Sequence, residues 1–204
     1  MKKNDWIHNH HTQKARDAGL VARSFYKLEE IDQKHKICQW LESIVALDLW
    51  CAPWSRIQYL VTCDNVEQIV GFDLKESEVS YPNVSTYQQD LTDRDAVEKI
   101  LDEEWMQSES VDLIVSDMAP DTIGMKDIDA LRSIWLIEKT LRIYEKYLHP
   151  EHWRFAIKVF MWPGFDELVN DLKEEYGRAN IVTFKPKSCR KKSKETFIVK
   201  RIKC

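Results

Sequence analysis

The sequence predicts an α/β fold, a mostly parallel sheet with helices on both faces and an antiparallel last strand. Three observations carry that expectation. Strand-like apolar runs alternate with stretches of helical spacing, polar residues stand at successive strand ends, and only a short loop separates the last two runs. Parallel strands need crossover connections, and a sheet covered on both faces reads as near-continuous apolar runs. The 204 residues are enough for a substantial core and fit one domain, 1–204, whose basic segment 1–22 is expected to be partly flexible.

The strand-like runs are SIVALDL (43–49), QIVGFDL (68–74), VDLIVSDM (111–118), RFAIKVF (154–160), NIVTF (180–184) and TFIVKRI (196–202). Helical spacing covers 23–34, 55–63, 93–105, 127–147 and 165–176; in the last, Phe165, Leu168, Val169 and Leu172 share a face. Asp93 and Asp127 stand where N-caps are expected.

In an open sheet of this kind, ligands gather at the carboxyl ends of the strands. Asp48, Asp73 and Asp117 each follow a strand-like run, and Lys158 lies within one. An isolated Asp after a strand is more often a helix cap than a catalyst, but the fold converges several of them on one crevice. Lys158 is the sharper signal. A lysine in an apolar strand is costly unless paired, so it needs a nearby carboxylate or a depressed pKa.

Composition narrows the function classes. There is no signal-peptide pattern and no apolar stretch long enough to span a bilayer, so a cytoplasmic protein without a membrane partner is expected. Cysteines at 38, 51, 63, 189 and 204 form no C-x-x-C, which suggests neither a zinc knuckle nor a disulfide framework. His8, His10 and His11 read as a solvated tail, and no metal is expected. The net charge of −4 hides a polarity. Both ends are basic, the last stretch through Lys185, Lys187, Arg190, Lys191, Lys192, Lys194, Lys200, Arg201 and Lys203, while the middle is acidic. If the ends meet, they make a positive face suited to a polyanion; a solubilising tail is the plainer alternative.

Four segments, ARSFYKLEEID, VDLIVSDMAPDTIG, AIKVFMWPGFDEL and KPKSCRKKSKETFIV, resemble the FtsJ/RrmJ (RlmE) family of ribosomal RNA 2′-O-methyltransferases, in order and from about Lys14 to Arg201. The resemblance implies a Rossmann-like S-adenosylmethionine-dependent methyltransferase fold with a seven-stranded sheet. It also implies a catalytic Lys-Asp-Lys-Glu tetrad, matched here by Lys27, Asp117, Lys158 and Glu195. A ribose 2′-OH is a poor nucleophile, so Lys158 would stabilise the developing alkoxide or remove its proton, with Asp117 orienting it. Glu195 would hold or tune the ammonium, and Lys27 would balance charge near the target.

For S-adenosylmethionine, the resemblance implies Asp73 at the ribose, Asp90 at the adenine edge, and a loop at 50–56 passing the methionine end. The full expected set is Asp48, Trp50, Pro53, Trp54, Arg56, Asp73, Leu74, Asp90, Leu91 and Asp117. For RNA it is Arg23, Tyr26, Lys187, Arg190, Lys191 and Lys192, through phosphate contact and base stacking. The expected substrate is a uridine of 23S ribosomal RNA in the large subunit, modified by a monomer. Transfer RNA is the alternative substrate, and a cofactor-deficient RNA-binding relative is the alternative class.

That last alternative arises from the tryptophans. The chain has eight Trp and five Gly, against roughly 7% Gly in average usage. Where the family pattern reads D-L-G-x-A-P-G, this chain has DLWCAPW, with Trp50 and Trp54 at the glycines. Trp153 and Trp162 also fall at or beside expected glycines, and Trp40 is close to another. One cause would explain them all: UGA codons that the source organism reads as glycine.

Overall fold

The computed structural model describes residues 17, 19–76, 79–104, 110–118, 123, 125–190 and 193–201. Its strands are β1 (Ile44–Leu49), β2 (Val66–Asp73), β3 (Val84–Gln88), β4 (Leu113–Ser116), β5 (Arg154–Phe160), β6 (Ile181–Phe184) and β7 (Glu195–Lys200). They form one seven-stranded sheet in the order β3-β2-β1-β4-β5-β7-β6. The pairs β1–β2, β1–β4, β2–β3 and β4–β5 are parallel, while β7 runs antiparallel to both neighbours. The expected antiparallel last strand is therefore present.

The helices are α1 (Ser24–His35), α2 (Ser55–Leu60), α3 (Arg94–Glu103), α4 (Lys126–Tyr144) and α5 (Phe165–Tyr176). Asp93 caps α3, accepting a hydrogen bond from the Ala96 N–H at 3.3 Å. Asp127 is no cap: α4 starts one residue earlier, behind Met125, which leaves Asp127 in the first turn. There its charge still favours the positive helix end. The run 127–147 also ends earlier as an α-helix, with Glu145–Tyr147 tightening into a 3-10 turn. β3 escaped the strand reading because VSTYQ is half-buried and polar, as suits a sheet edge.

The strand period of two sorts side chains between two cores. On one face Leu47, Leu49, Phe72, Phe155, Ile157 and Val159 pack against α3, α4 and α5. On the other Ile44, Ala46, Leu113, Val115, Ala156, Phe197 and Val199 meet α1 and α2 through Leu28, Ile31, Ile57 and Leu60. Fully burying each such aliphatic side chain contributes about 1.5–3 kcal/mol. The same parity fixes the charged residues. Asp48 follows Ala46, Asp117 follows Val115, Lys158 follows Ala156 and Glu195 precedes Phe197, so all four belong to the α1/α2 face.

Candidate active site

The four residues of the expected tetrad meet at the carboxyl ends of β4 and β5, beneath α1. In α1, Ser24, Lys27, Leu28, Ile31 and His35 are buried at helical spacing, so Lys27 occupies the inward stripe instead of open solvent. Its ammonium lies 3.1 Å from Glu195 Oε2 and 3.6 Å from Asp117 Oδ1. Lys158 Nζ lies 2.9 Å from the same Asp117 oxygen and also donates to the Asp117 backbone carbonyl. Asp117 Oδ1 thus sits between two ammonium groups, and Glu195 balances the outer one.

Their titration follows from the geometry. Burial alone would raise the Asp117 carboxyl, but Lys158, Lys27 and Arg56 together hold it well below the usual carboxylate range. Burial would lower Lys27, yet Asp117 and Glu195 outweigh it and raise its pKa. Lys158 goes the other way: burial lowers it, the Asp117 pairing resists, and neighbouring Lys27 adds to the fall. Glu195, which burial would raise, is lowered by Lys27. The two lysines are therefore unlike. Lys27 is fixed as a cation, and Lys158 is the easier to deprotonate.

Arg56, expected at the donor, has partners within the protein. Its guanidinium is buried and committed to protein: 2.8 Å from Asp48 Oδ1, 3.5 Å from Asp117 Oδ2, and donating to the Trp50 carbonyl. It joins the tetrad to the loop after β1 and positions both. The loop itself hangs on the end of β2. Trp50 and Cys51 N–H groups both donate to the Phe72 carbonyl, and the Ala52 N–H donates to Asp73 Oδ2 at 2.8 Å. Asp73 Oδ1 accepts from the Lys75 N–H at 3.0 Å, so each oxygen keeps a lone pair for another donor. Gly71 makes this approach possible, since a Cβ there would stand 3.1 Å from Cys51 Sγ.

Beyond the loop lies a crevice of about 340 Å³ lined by Trp50, Leu74, Asp90, Leu91, Trp135 and Leu136. Its apolar walls suit a flat heterocycle, with the exposed Asp90 among the lining residues as a polar group. Trp135 and Leu136, on α4, were missed by sequence reasoning, which had no motif there to mark them. Asp48 is 0% exposed and its Oδ2 has no hydrogen-bond partner, an acceptor suited to an ammonium. Pro53 is exposed at the loop's tip. The crevice and its neighbouring carboxylates fit a methyl donor that carries a flat heterocycle, with the loop indoles as the exception.

Those indoles sit on glycine backbone. Among the described residues only Lys36, Trp50 and Trp54 are non-glycines with positive φ, the two tryptophans at 71° and 59°. A bulky residue held there costs on the order of 1–3 kcal/mol. Trp153 and Trp162 are different. Trp153 is 6% exposed among Phe155 and Tyr176, and Trp162 stacks on Phe160, both without positive φ. Trp40 is half-buried over Arg154.

The expected RNA residues divide. Burial lowers the Arg23 pKa and the charge of Arg190 adds to the fall, while Glu195 and Asp117 of the tetrad oppose it. The Lys187 and Ser188 N–H groups donate to the Glu30 carboxylate of α1, so this basic segment docks beside the tetrad helix. The Lys187 side chain is exposed. Tyr26 is 6% exposed and edge-on to Phe25, the placement of a core aromatic instead of an open stacking platform. Lys191, Lys192 and the N-terminal histidines lie outside the described residues. No helix among the described residues is long and apolar enough to cross a membrane.

Comparison with known proteins gives a consistent result. The model of the FtsJ-like methyltransferase family matches residues 20–203. A ribosomal RNA large subunit methyltransferase E from Desulfatibacillum aliphaticivorans is 37% identical over 200 residues, covering 97% of this chain and 91% of the relative. The protein of that name from Pelagibacter ubique is 36% identical and covers 99% of both. Among solved structures, one described as a ribosomal RNA methyltransferase from Plasmodium falciparum superposes with a TM-score of 0.75 at 28% identity. It covers 88% of this chain and 96% of its own.

Proposed function

This chain belongs to the FtsJ-like methyltransferase family, and on that premise we propose that it methylates the 2′-OH of a uridine ribose in 23S ribosomal RNA of the large subunit, using S-adenosylmethionine in the cytoplasm. The observation that carries the reading is Asp117 Oδ1 held between Lys158 at 2.9 Å and Lys27 at 3.6 Å at the strand ends. Bound in the crevice, S-adenosylmethionine supplies an electrophilic sulfonium methyl. Asp48, Asp73, Leu74, Asp90 and Leu91 hold it there. Lys158, whose pKa burial lowers, takes the 2′-OH proton as the oxygen becomes nucleophilic. Asp117 aims that amine and balances its charge once protonated. Lys27, kept cationic by Asp117 and Glu195, offers charge to the ribose or its phosphate. Arg23, Lys187 and Arg190 offer positive charge to the RNA backbone, and the sequence adds Lys191 and Lys192 to the same basic segment.

The glycine-type backbone at 50 and 54 supports a second part of the proposal: the native residues there are glycines, encoded by UGA. The same reading extends to Trp153 and Trp162 on sequence grounds alone. UGG codons at these four positions end it. The alternative of an RNA-binding protein without methyl transfer draws on the same two indoles, and one experiment separates them. Large subunits lacking the modification are incubated with labelled S-adenosylmethionine and either the protein or its Trp50→Gly/Trp54→Gly variant. A single labelled, alkali-resistant ribose linkage supports the enzyme; RNA binding without label by both proteins overturns it.

A further inference from the structure

The mechanism leaves a second cluster unused, on the amino-terminal side of the fold from the tetrad. Asp32, Cys38 and Cys63 bring one carboxylate oxygen and two sulfurs within 4.8 Å of one another. Cys38 is fully buried just after α1, and Cys63, just after α2, is half-buried. The two segments are tied together, since Asn65 Nδ2 donates to the carbonyls of Cys38 and Leu41, both at 2.7 Å.

Such a trio invites a metal, but the carboxylate is already spent. Asp32 Oδ1 accepts from the Cys38 N–H at 2.7 Å, and Oδ2 accepts from Gln39 and from the Tyr59 hydroxyl, both at 2.8 Å. With the third ligand engaged three times, two neighbouring thiols are left. They are also unlike. Cys38 is fully buried, whereas Cys63 is half-buried and its Sγ donates to the Tyr59 carbonyl at 3.7 Å. The more exposed sulfur is the one an oxidant reaches first and the buried one stands beside it, the arrangement of an attacking and a resolving cysteine.

We propose that Cys38 and Cys63 are a peroxide-sensitive dithiol that closes to a reversible disulfide. The Cys63 thiolate attacks one oxygen of hydrogen peroxide and the O–O bond breaks. Hydroxide leaves and is protonated to water, and Cys63 becomes a sulfenic acid. The Cys38 sulfur then attacks the Cys63 sulfur, the S–S bond forms as S–O breaks, and the Cys38 proton departs with that hydroxyl as water. Two thiols are oxidised and one peroxide is reduced to two waters. The bridge would enclose β1, the loop carrying Trp50 and Trp54, and α2 with Arg56, so oxidation clamps the segment that holds the tetrad to the donor loop. The dithiol chemistry stands apart from the methyl-transfer reading; only the consequence for donor binding rests on it.

The folded, reduced protein is treated with hydrogen peroxide, alkylated and mapped by peptide mass spectrometry, with Cys204→Ser as the control and Cys63→Ser as the test. The expected result is loss of two of the five thiols. A Cys38–Cys63 cross-linked peptide appears in the parent and in Cys204→Ser, is absent in Cys63→Ser and is reversed by dithiothreitol. Mapping in the parent needs no variant to fold. Cys63 driven to sulfinic acid while Cys38 stays a free thiol, or Cys63 bridged to any other cysteine, overturns the proposal. So does Zn²⁺ that co-purifies and protects both thiols from alkylation.

Discussion

The two ends of the crevice contrast sharply. At the reaction end, every expected side chain is present and charge-matched: Lys27, Asp117, Lys158 and Glu195 form a continuous chain of ion pairs. At the donor end, the backbone is that of a glycine loop, with Trp50 and Trp54 in left-handed conformations. Sheet parity and helix stripe fix the first, and both are robust to local change. The second depends on single backbone torsions that only glycine adopts at no steric cost. A site can therefore keep its catalytic charges while its donor loop carries strain.

Arg56 is the joint between the two ends, so removing it is the largest break. Arg56→Met leaves the buried Asp48 and the partly buried Asp117 without that guanidinium and is expected to cost about 3–5 kcal/mol of stability, read as a lowered urea midpoint. A midpoint unchanged from the parent would mean the joint holds nothing. Next in size is the donor loop. Trp50→Gly/Trp54→Gly should tighten S-adenosylmethionine binding by at least about tenfold, or about 1.4 kcal/mol, in calorimetry. Equal affinity in both proteins would remove the loop from the account.

A third test reads a slope with pH. Burial raises the Asp48 carboxyl to about 6, against the pull of Arg56. Unfolded, it titrates at about 3.9, so the folded state binds this proton more readily and stability falls as pH rises from about 4 through 6. Asp48→Asn removes that slope. What then remains is the opposite slope from Asp117, whose lowered carboxyl stabilises the fold above its unfolded value and loses this as pH falls. Parallel stability curves for parent and Asp48→Asn would show that Asp48 does not titrate as described.

Much of this was legible in the chain. The period of two in ALDL, IVSD, IKVF and ETFIV already puts Asp48, Asp117, Lys158 and Glu195 on one face. Their mutual approach was expected from the resemblance, and the sheet register supplies its physical reason. The edge strand β3 was not legible, because an edge buries too little to write an apolar run. The joining role of Arg56 was not legible, because its partner Asp117 is distant in sequence. Trp135 and Leu136 were missed because one wall of a crevice leaves no spacing of its own in a long helix. The Cys38–Cys63 pair was invisible, since no C-x-x-C brings those sulfurs together; a side-chain network around Asp32 does.

The central claim is that Lys158, held by Asp117, removes the proton from the attacking hydroxyl. Its most direct test is the single-turnover rate of methyl transfer to large-subunit RNA at saturating donor, comparing Lys158→Ala with its parent in the Trp50→Gly/Trp54→Gly background. A fall of about 10²–10⁴-fold with donor affinity unchanged is the predicted result. A rate close to the parent's would contradict it.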